Sequence, residues 1–217
     1  MSRLAALALV AAAVPALAQS PTPNRDLTGM WIGPYTPNLA QGVALSFQPG
    51  AESAFRSHRG EDDPTARCLP PGVPRVLGAP FPIEILQDAT SVTILYEYMH
   101  LIRRIPTDGR KHPEDVDATF MGDSVGRWEG DTLVVDAIGF NDRTWLDTLG
   151  HQHSDALHIV ERLRRVGADT IAYAVTVDDP KTYQQPWTAS RTLTRHPDWT
   201  LKEYVCEENN KIKEEPQ

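Results

Sequence analysis

The chain has 217 residues, with 29 Asp and Glu against 21 Lys and Arg, a net charge of −8 and two cysteines. Such an acidic chain is a poor partner for nucleic acid or an anionic membrane. A chain of this length with 41% apolar residues builds a core without many staples. At the N-terminus Met1-Ser2-Arg3 precedes an almost wholly apolar run from Leu4 to Leu17 and the small-x-small site Ala16-Leu17-Ala18. This pattern predicts a cleavable secretory signal peptide over residues 1–18. The run falls short of the roughly 20 residues a membrane span needs, and no cysteine follows it to carry a lipid. A periplasmic or secreted protein is expected, with one β-barrel-like domain over residues 19–210 and an acidic, disordered tail over residues 211–217. In an oxidising compartment Cys68 and Cys206 are expected to pair; the alternative is two buried free thiols.

Leu27 to Ile32 opens the fold. Gly42 to Phe47 reads as a short strand, and Gly50 to Arg59 as a short helix with apolar spacing at Ala51, Ala54 and Phe55. Prolines 64, 70, 71, 74 and 80 make residues 60–80 a long irregular loop. From Pro82 the pattern turns to strands. Pro82 to Leu86 is followed by a polar turn, then Val92 to Ile105 forms one long strand or two broken ones. Three hairpins are expected: Val125–Glu129 with Thr132–Phe140, Leu157–Val166 with Thr170–Val177, and Trp187–Arg195 with Trp199–Val205. Short strands without intervening helices predict a mainly β fold, an antiparallel barrel or sandwich. Two long loops, 106–124 and 141–156, are of a length usually kept for function or local folding.

Four clusters carry candidate chemistry. In the first, His151 and His153 share a face if the segment is extended. They suit either acid–base work or a shared divalent metal, with Glu161 as the partner carboxylate. Glu161 alternates with Leu157, Ile159 and Leu163, so it is expected on a buried face, where a carboxylate needs a partner; an Arg of a neighbouring strand would serve structurally. In the second, alternation along an unbroken strand aligns Tyr96, Tyr98, His100, Ile102 and Arg104 as a cavity floor, with Arg104 as an anion clamp. The third is the turn Asp108 to Asp117, whose acidic residues near His112 could meet a cation but lack EF-hand spacing. In the fourth, Trp145 in a polar loop either docks on the core or stacks a ligand. The chain has no P-loop, dinucleotide fingerprint or Gly-x-Ser-x-Gly elbow, so neither a nucleotide cofactor nor a serine nucleophile is expected.

Cys68-Leu69-Pro70-Pro71-Gly72-Val73-Pro74-Arg75, Gly126-Arg127-Trp128-Glu129-Gly130-Asp131-Thr132-Leu133-Val134-Val135-Asp136 and Glu203-Tyr204-Val205-Cys206-Glu207-Glu208-Asn209 resemble strings of a widespread, uncharacterised family of secreted bacterial proteins. That resemblance implies export but no particular activity. The early Gly29-Met30-Trp31 and the run of hairpins are similar to lipocalin-like barrels, which implies a cavity for a ligand. Two functions follow as expectations. One is an exported enzyme, a hydrolase or lyase acting on a small organic molecule, with His151, His153 and Glu161 catalytic and Tyr96, Tyr98, His100, Arg104 and Trp145 binding substrate. The other is a non-catalytic, lipocalin-like carrier of a small apolar or aromatic ligand. A third, an envelope-interaction module, would present a patch near Trp145 instead of a cavity. Convergence of His151, His153, Glu161 and His100 in one pocket is the feature that separates the first from the others.

Overall fold

The structure is a computed structural model that describes residues 24–209; the expected signal peptide and the tail over 211–217 lie outside them. Nine strands form one sheet: β1 (Gly29–Ile32), β2 (Ile83–Gln87), β3 (Ser91–Tyr96), β4 (Ile102–Pro106), β5 (Asp123–Glu129), β6 (Thr132–Ile138), β7 (His158–Gly167), β8 (Thr170–Asp178) and β9 (Trp187–Arg195). Their order is β4-β3-β2-β1-β9-β8-β7-β6-β5, and every hydrogen-bonded pair is antiparallel. The sheet curls until its edges, β4 and β5, lie side by side, giving a nearly closed barrel. Between the barrel and sandwich expected from the hairpins, the structure is the barrel.

The strands form where apolar residues alternate. In β8, Ile171, Tyr173, Val175 and Val177 are all buried while the residues between them are only partly so. The β5–β6 hairpin turns through Gly130-Asp131, with Glu129 opposite Thr132 and Gly130 at φ 63°, a conformation a two-residue hairpin loop requires of its residues and glycine adopts without strain. Inward residues of every strand merge into one apolar cluster.

Strand parity explains the long 107–122 loop. Nine antiparallel strands give both edges the same direction, so the connection from β4 to β5 must run back along the barrel. A parallel relation of this kind needs a crossover of a dozen residues or more. The loop is held on the way by a parallel bridge between Thr119 and Phe140.

Two sequence expectations are corrected, and one left open between alternatives is decided. Gly42 to Phe47 makes no ladder, only an isolated bridge from Phe47 to Tyr183. The third hairpin does not form: β9 pairs with β1, and residues 196–205 run as an irregular strap into a short helix, α2 (Cys206–Asn209). The 92–105 segment is two strands, broken at Tyr98–His100, where Met99 and His100 have φ 58° and 49°. The expected helix is α1 (Ala51–Ser57), and the proline-rich stretch after it holds three short 3₁₀ turns. Cys68 and Cys206 form a disulfide with Cα atoms 5.7 Å apart, tying the strap to that stretch. Among the described residues no helix is long and apolar enough to cross a membrane.

Candidate functional site

One end of the barrel carries the β1–β2, β6–β7 and β8–β9 connections, and these build a pocket of about 790 Å³. Its wall includes His58, Arg67, Arg143, Thr144, Trp145, His153 and Lys181. Trp145 is buried and stacks on His58, ring centroids 4.8 Å apart, and the His58 Nδ1–H donates to the Gly150 carbonyl at 2.7 Å. Arg67, Arg143 and Lys181 come from three separate loops, and the lining also holds one carboxylate, Asp142. In a chain of net charge −8 this end pocket is a local cationic spot. Lys181 also reaches Asp155 at 2.6 Å, and Arg143 lies over the Phe120 ring at 5.0 Å.

His153 sits at the pocket wall in a chain of bonds. Its Nδ1–H donates to the Ser154 carbonyl at 3.0 Å, which leaves Nε2 to accept the Thr144 hydroxyl at 2.6 Å. Ser154 donates from both N and Oγ to Asp179. Asp179, almost fully buried, also receives the Thr182 hydroxyl and the Lys181 N–H. Burial holds the His153 imidazole below its usual pKa, against the opposing pull of the Ser154 carbonyl and the Asp179 and Asp142 charges. His153 is therefore neutral, with both ring nitrogens engaged.

His151 does not share a site with it. Its Nδ1–H donates to Asp147 at 2.6 Å, and its ring stacks on Phe55 at 4.4 Å. Asp147 is 1% exposed and also caps the N–H groups of Leu39, Leu149 and His151. Both imidazoles are buried, but each serves its own carboxylate-anchored loop turn. Among the described residues, no group of three or more His, Cys, Asp or Glu can hold a metal ion. The acidic residues expected near His112 do not gather there; His112 instead contacts Asp123 and Asp136, and Asp136 also meets His158.

Glu161 lies inside the barrel, away from both histidines. It is 3% exposed and pairs at 2.5 Å with Arg103, itself 4% exposed. It also accepts the Tyr173 hydroxyl at 2.8 Å. The Arg partner is on β4, not on an adjoining strand, so the pair spans the interior. Arg103 Nε donates to Ser124 Oγ on β5 at 2.9 Å, so this guanidinium also bridges the seam. Burial disfavours the Arg103 charge, yet the Glu161 carboxylate outweighs it and holds the pKa above its ordinary value. Burial, followed by the Glu161 charge, pushes the Tyr173 hydroxyl up. Tyr96, beside Arg103, is pushed to about 12, chiefly by burial.

The face proposed for β3 and β4 is not continuous. The turn at Tyr98–His100 resets the alternation, so Arg103 points inward while Arg104 is exposed on the outer face. Tyr96 is in the barrel core. Tyr98 lines a different cavity, where it stacks on Phe81 at 5.0 Å. His100 is exposed, and its Nε2 accepts the Tyr204 N–H at 2.9 Å. Of the residues picked from sequence, the end pocket thus collects His153 and Trp145. His58, Arg67, Thr144 and Lys181 were missed; Thr144 adjoins Trp145, but no local pattern links the other three.

No protein-family model matches the chain, and no curated protein matches it. Among solved structures it is similar to a secretory abundant heat soluble (SAHS) protein from Ramazzottius varieornatus. The TM-score is 0.39 at 11% identity, covering 82% of this chain and 100% of that one.

Proposed function

We propose that this chain is an exported small-molecule-binding protein that holds its ligand in the end pocket and performs no chemistry on it. The observation that carries this reading is the separation of the would-be catalytic groups. Glu161 is committed to Arg103 inside the barrel, His151 to Asp147, His100 to the strap, and His153 to Thr144 and Ser154. What the pocket offers instead is volume, the aromatic wall of His58 and Trp145, and the guanidinium groups of Arg67 and Arg143 with Asp142, beside a Lys181 already paired with Asp155. A cavity of this size suits a drug-sized molecule. An aromatic or otherwise flat body against the wall, with an acidic group toward Arg67 and Arg143, fits that lining. Export rests on the leader-like residues 1–18, and the Cys68–Cys206 bond is the kind that persists in an oxidising compartment.

The test is titration of the purified protein with aromatic carboxylates such as 2-naphthoate, followed by tryptophan fluorescence and calorimetry. Saturable binding that weakens about tenfold in Trp145→Ala is expected, the size of a lost aromatic contact. Turnover of a bound compound that His153→Gln abolishes while binding persists would overturn the carrier reading in favour of a hydrolase or lyase.

A further inference from the structure

We infer that the protein has a second ligand site, separate from the end pocket, which takes a neutral aromatic molecule of one or two rings. The site is a cavity of about 380 Å³ walled by Tyr35, Phe81, Tyr98 and Tyr204, with Arg75 and Asp63 at its floor. It lies on the other side of residues 63–67 from the end pocket: Asp63 and Thr65 line this cavity, whereas Pro64 and Arg67 line the other.

Three of these rings pack against one another. Phe81 and Tyr98 stack at 5.0 Å and 7°, and Tyr204 meets both edge-on at 5.2 and 5.1 Å. These rings are not close in sequence. Tyr98 is presented by the break between β3 and β4, where Met99 and His100 hold left-handed backbone conformations that non-glycine residues seldom adopt. Such conformations persist only when the surroundings enforce them, and they cluster at functional sites. Tyr204 comes from the strap, which is fixed twice: His100 accepts its N–H, and the disulfide closes two residues later at Cys206. The strained turn and the disulfide thus converge on the placement of the same two tyrosines.

The chemistry of the floor selects the ligand class. Arg75 and Asp63 are a largely buried, two-bond ion pair, so their charges cancel. Asp63 also accepts the N–H and hydroxyl of Thr65. The Thr36 hydroxyl donates to the Pro34 carbonyl and accepts from Arg191, and the Thr148 hydroxyl donates to the Pro37 carbonyl. With these polar groups already partnered, a sugar or a free anion would have to break internal bonds to be recognised. The rings of Tyr35, Phe81, Tyr98 and Tyr204 make up the aromatic part of the lining, and offset or edge-on contacts with them favour an uncharged aromatic guest.

Calorimetric titration with 2-naphthol and, separately, with glucose tests the proposal on the wild-type chain and on Tyr98→Ala, Tyr98→Phe and Phe81→Leu. Saturable binding of 2-naphthol is expected, about tenfold weaker in Tyr98→Ala and in Phe81→Leu, each of which removes a ring contact. Tyr98→Phe keeps the ring and is expected to stay within about threefold of wild type. Phe81→Leu keeps apolar volume, so it reports on the site even if Tyr98→Ala fails to give a cooperative thermal transition. Glucose binding in place of 2-naphthol, no saturable 2-naphthol binding, or 2-naphthol binding indifferent to both ring-removing variants would each overturn it. Loss of 2-naphthoate binding in Trp145→Ala concerns the other pocket, so failure of one site is told apart from failure of the other.

Discussion

At the residue scale, a buried ion pair is costly to break by removing one partner. Arg103 and Glu161 are each nearly inaccessible and hold one another across the barrel interior. Replacing only Arg103 with Met leaves a buried carboxylate without its partner, which costs about 3–5 kcal/mol. Adding Glu161→Gln removes the stranded charge and leaves an acceptor for the Tyr173 hydroxyl, so the double variant is expected to recover most of the loss. Urea unfolding of the single and double variants checks both statements. His153 gives a pH prediction of definite sign. Its folded-state pKa lies below the usual value because of burial. As pH falls through the ordinary histidine range, near about 6.5, the unfolded chain takes up a proton that the folded chain refuses, and stability drops. The urea midpoint of the wild type is expected to fall more between pH 7 and pH 5 than that of His153→Gln.

At the scale of elements, loops and the strap do what helices do in other folds, holding long connections in place. The disulfide joins residues 138 apart in sequence. In the chain-entropy account, closing so long a loop stabilises by about 5 kcal/mol at most. The paired change Cys68→Ala and Cys206→Ala is expected to lower the unfolding free energy by a few kcal/mol, and a reducing agent is expected to do the same to the wild type but not to the variant. Denaturant midpoints with and without the reductant decide it. The sequence made this element legible only in part. Two cysteines behind an expected export signal pointed to the bond, but alternation read Trp199 to Val205 as a strand. The deciding factor was the vacancy beside β9: β1 occupies it, with Trp31 opposite Arg195, so no following strand can pair there.

For the whole molecule, the odd number of strands sets the weak point. β4 and β5 run in the same direction and are joined by side chains and packing rather than by a ladder. Gly126 on β5 permits the approach, since a Cβ there would meet Ile105 Cγ2 at 2.8 Å and Thr107 Cγ2 at 3.1 Å. Gly126→Val is expected to wedge this seam, at the roughly 1–3 kcal/mol typical of overpacking. Native-state hydrogen exchange should then accelerate in β4 and β5 more than in β7 and β8, which pair on both sides. Uniform acceleration across the sheet would speak against a seam-localised effect.

Local chemistry along the chain determined two of the three expected hairpins, the burial of Glu161, the disulfide partners and the broken helix-poor stretch around the prolines. These depend on alternation, turn residues and proline geometry, which act over a few residues. The tertiary structure decided which groups meet. Arg103 rather than Arg104 faces inward because a two-residue left-handed turn shifts the strand period. Glu161 finds its arginine across the barrel rather than beside it, a distance that no sequence spacing encodes. His151 and His153, neighbours in an apparent metal or acid–base motif, are parted because Asp147 and Thr144 each claim one of them. The pocket that remains is assembled from three loops distant in sequence, and the curled sheet brings His58, Arg67 and Lys181 to the side of Trp145.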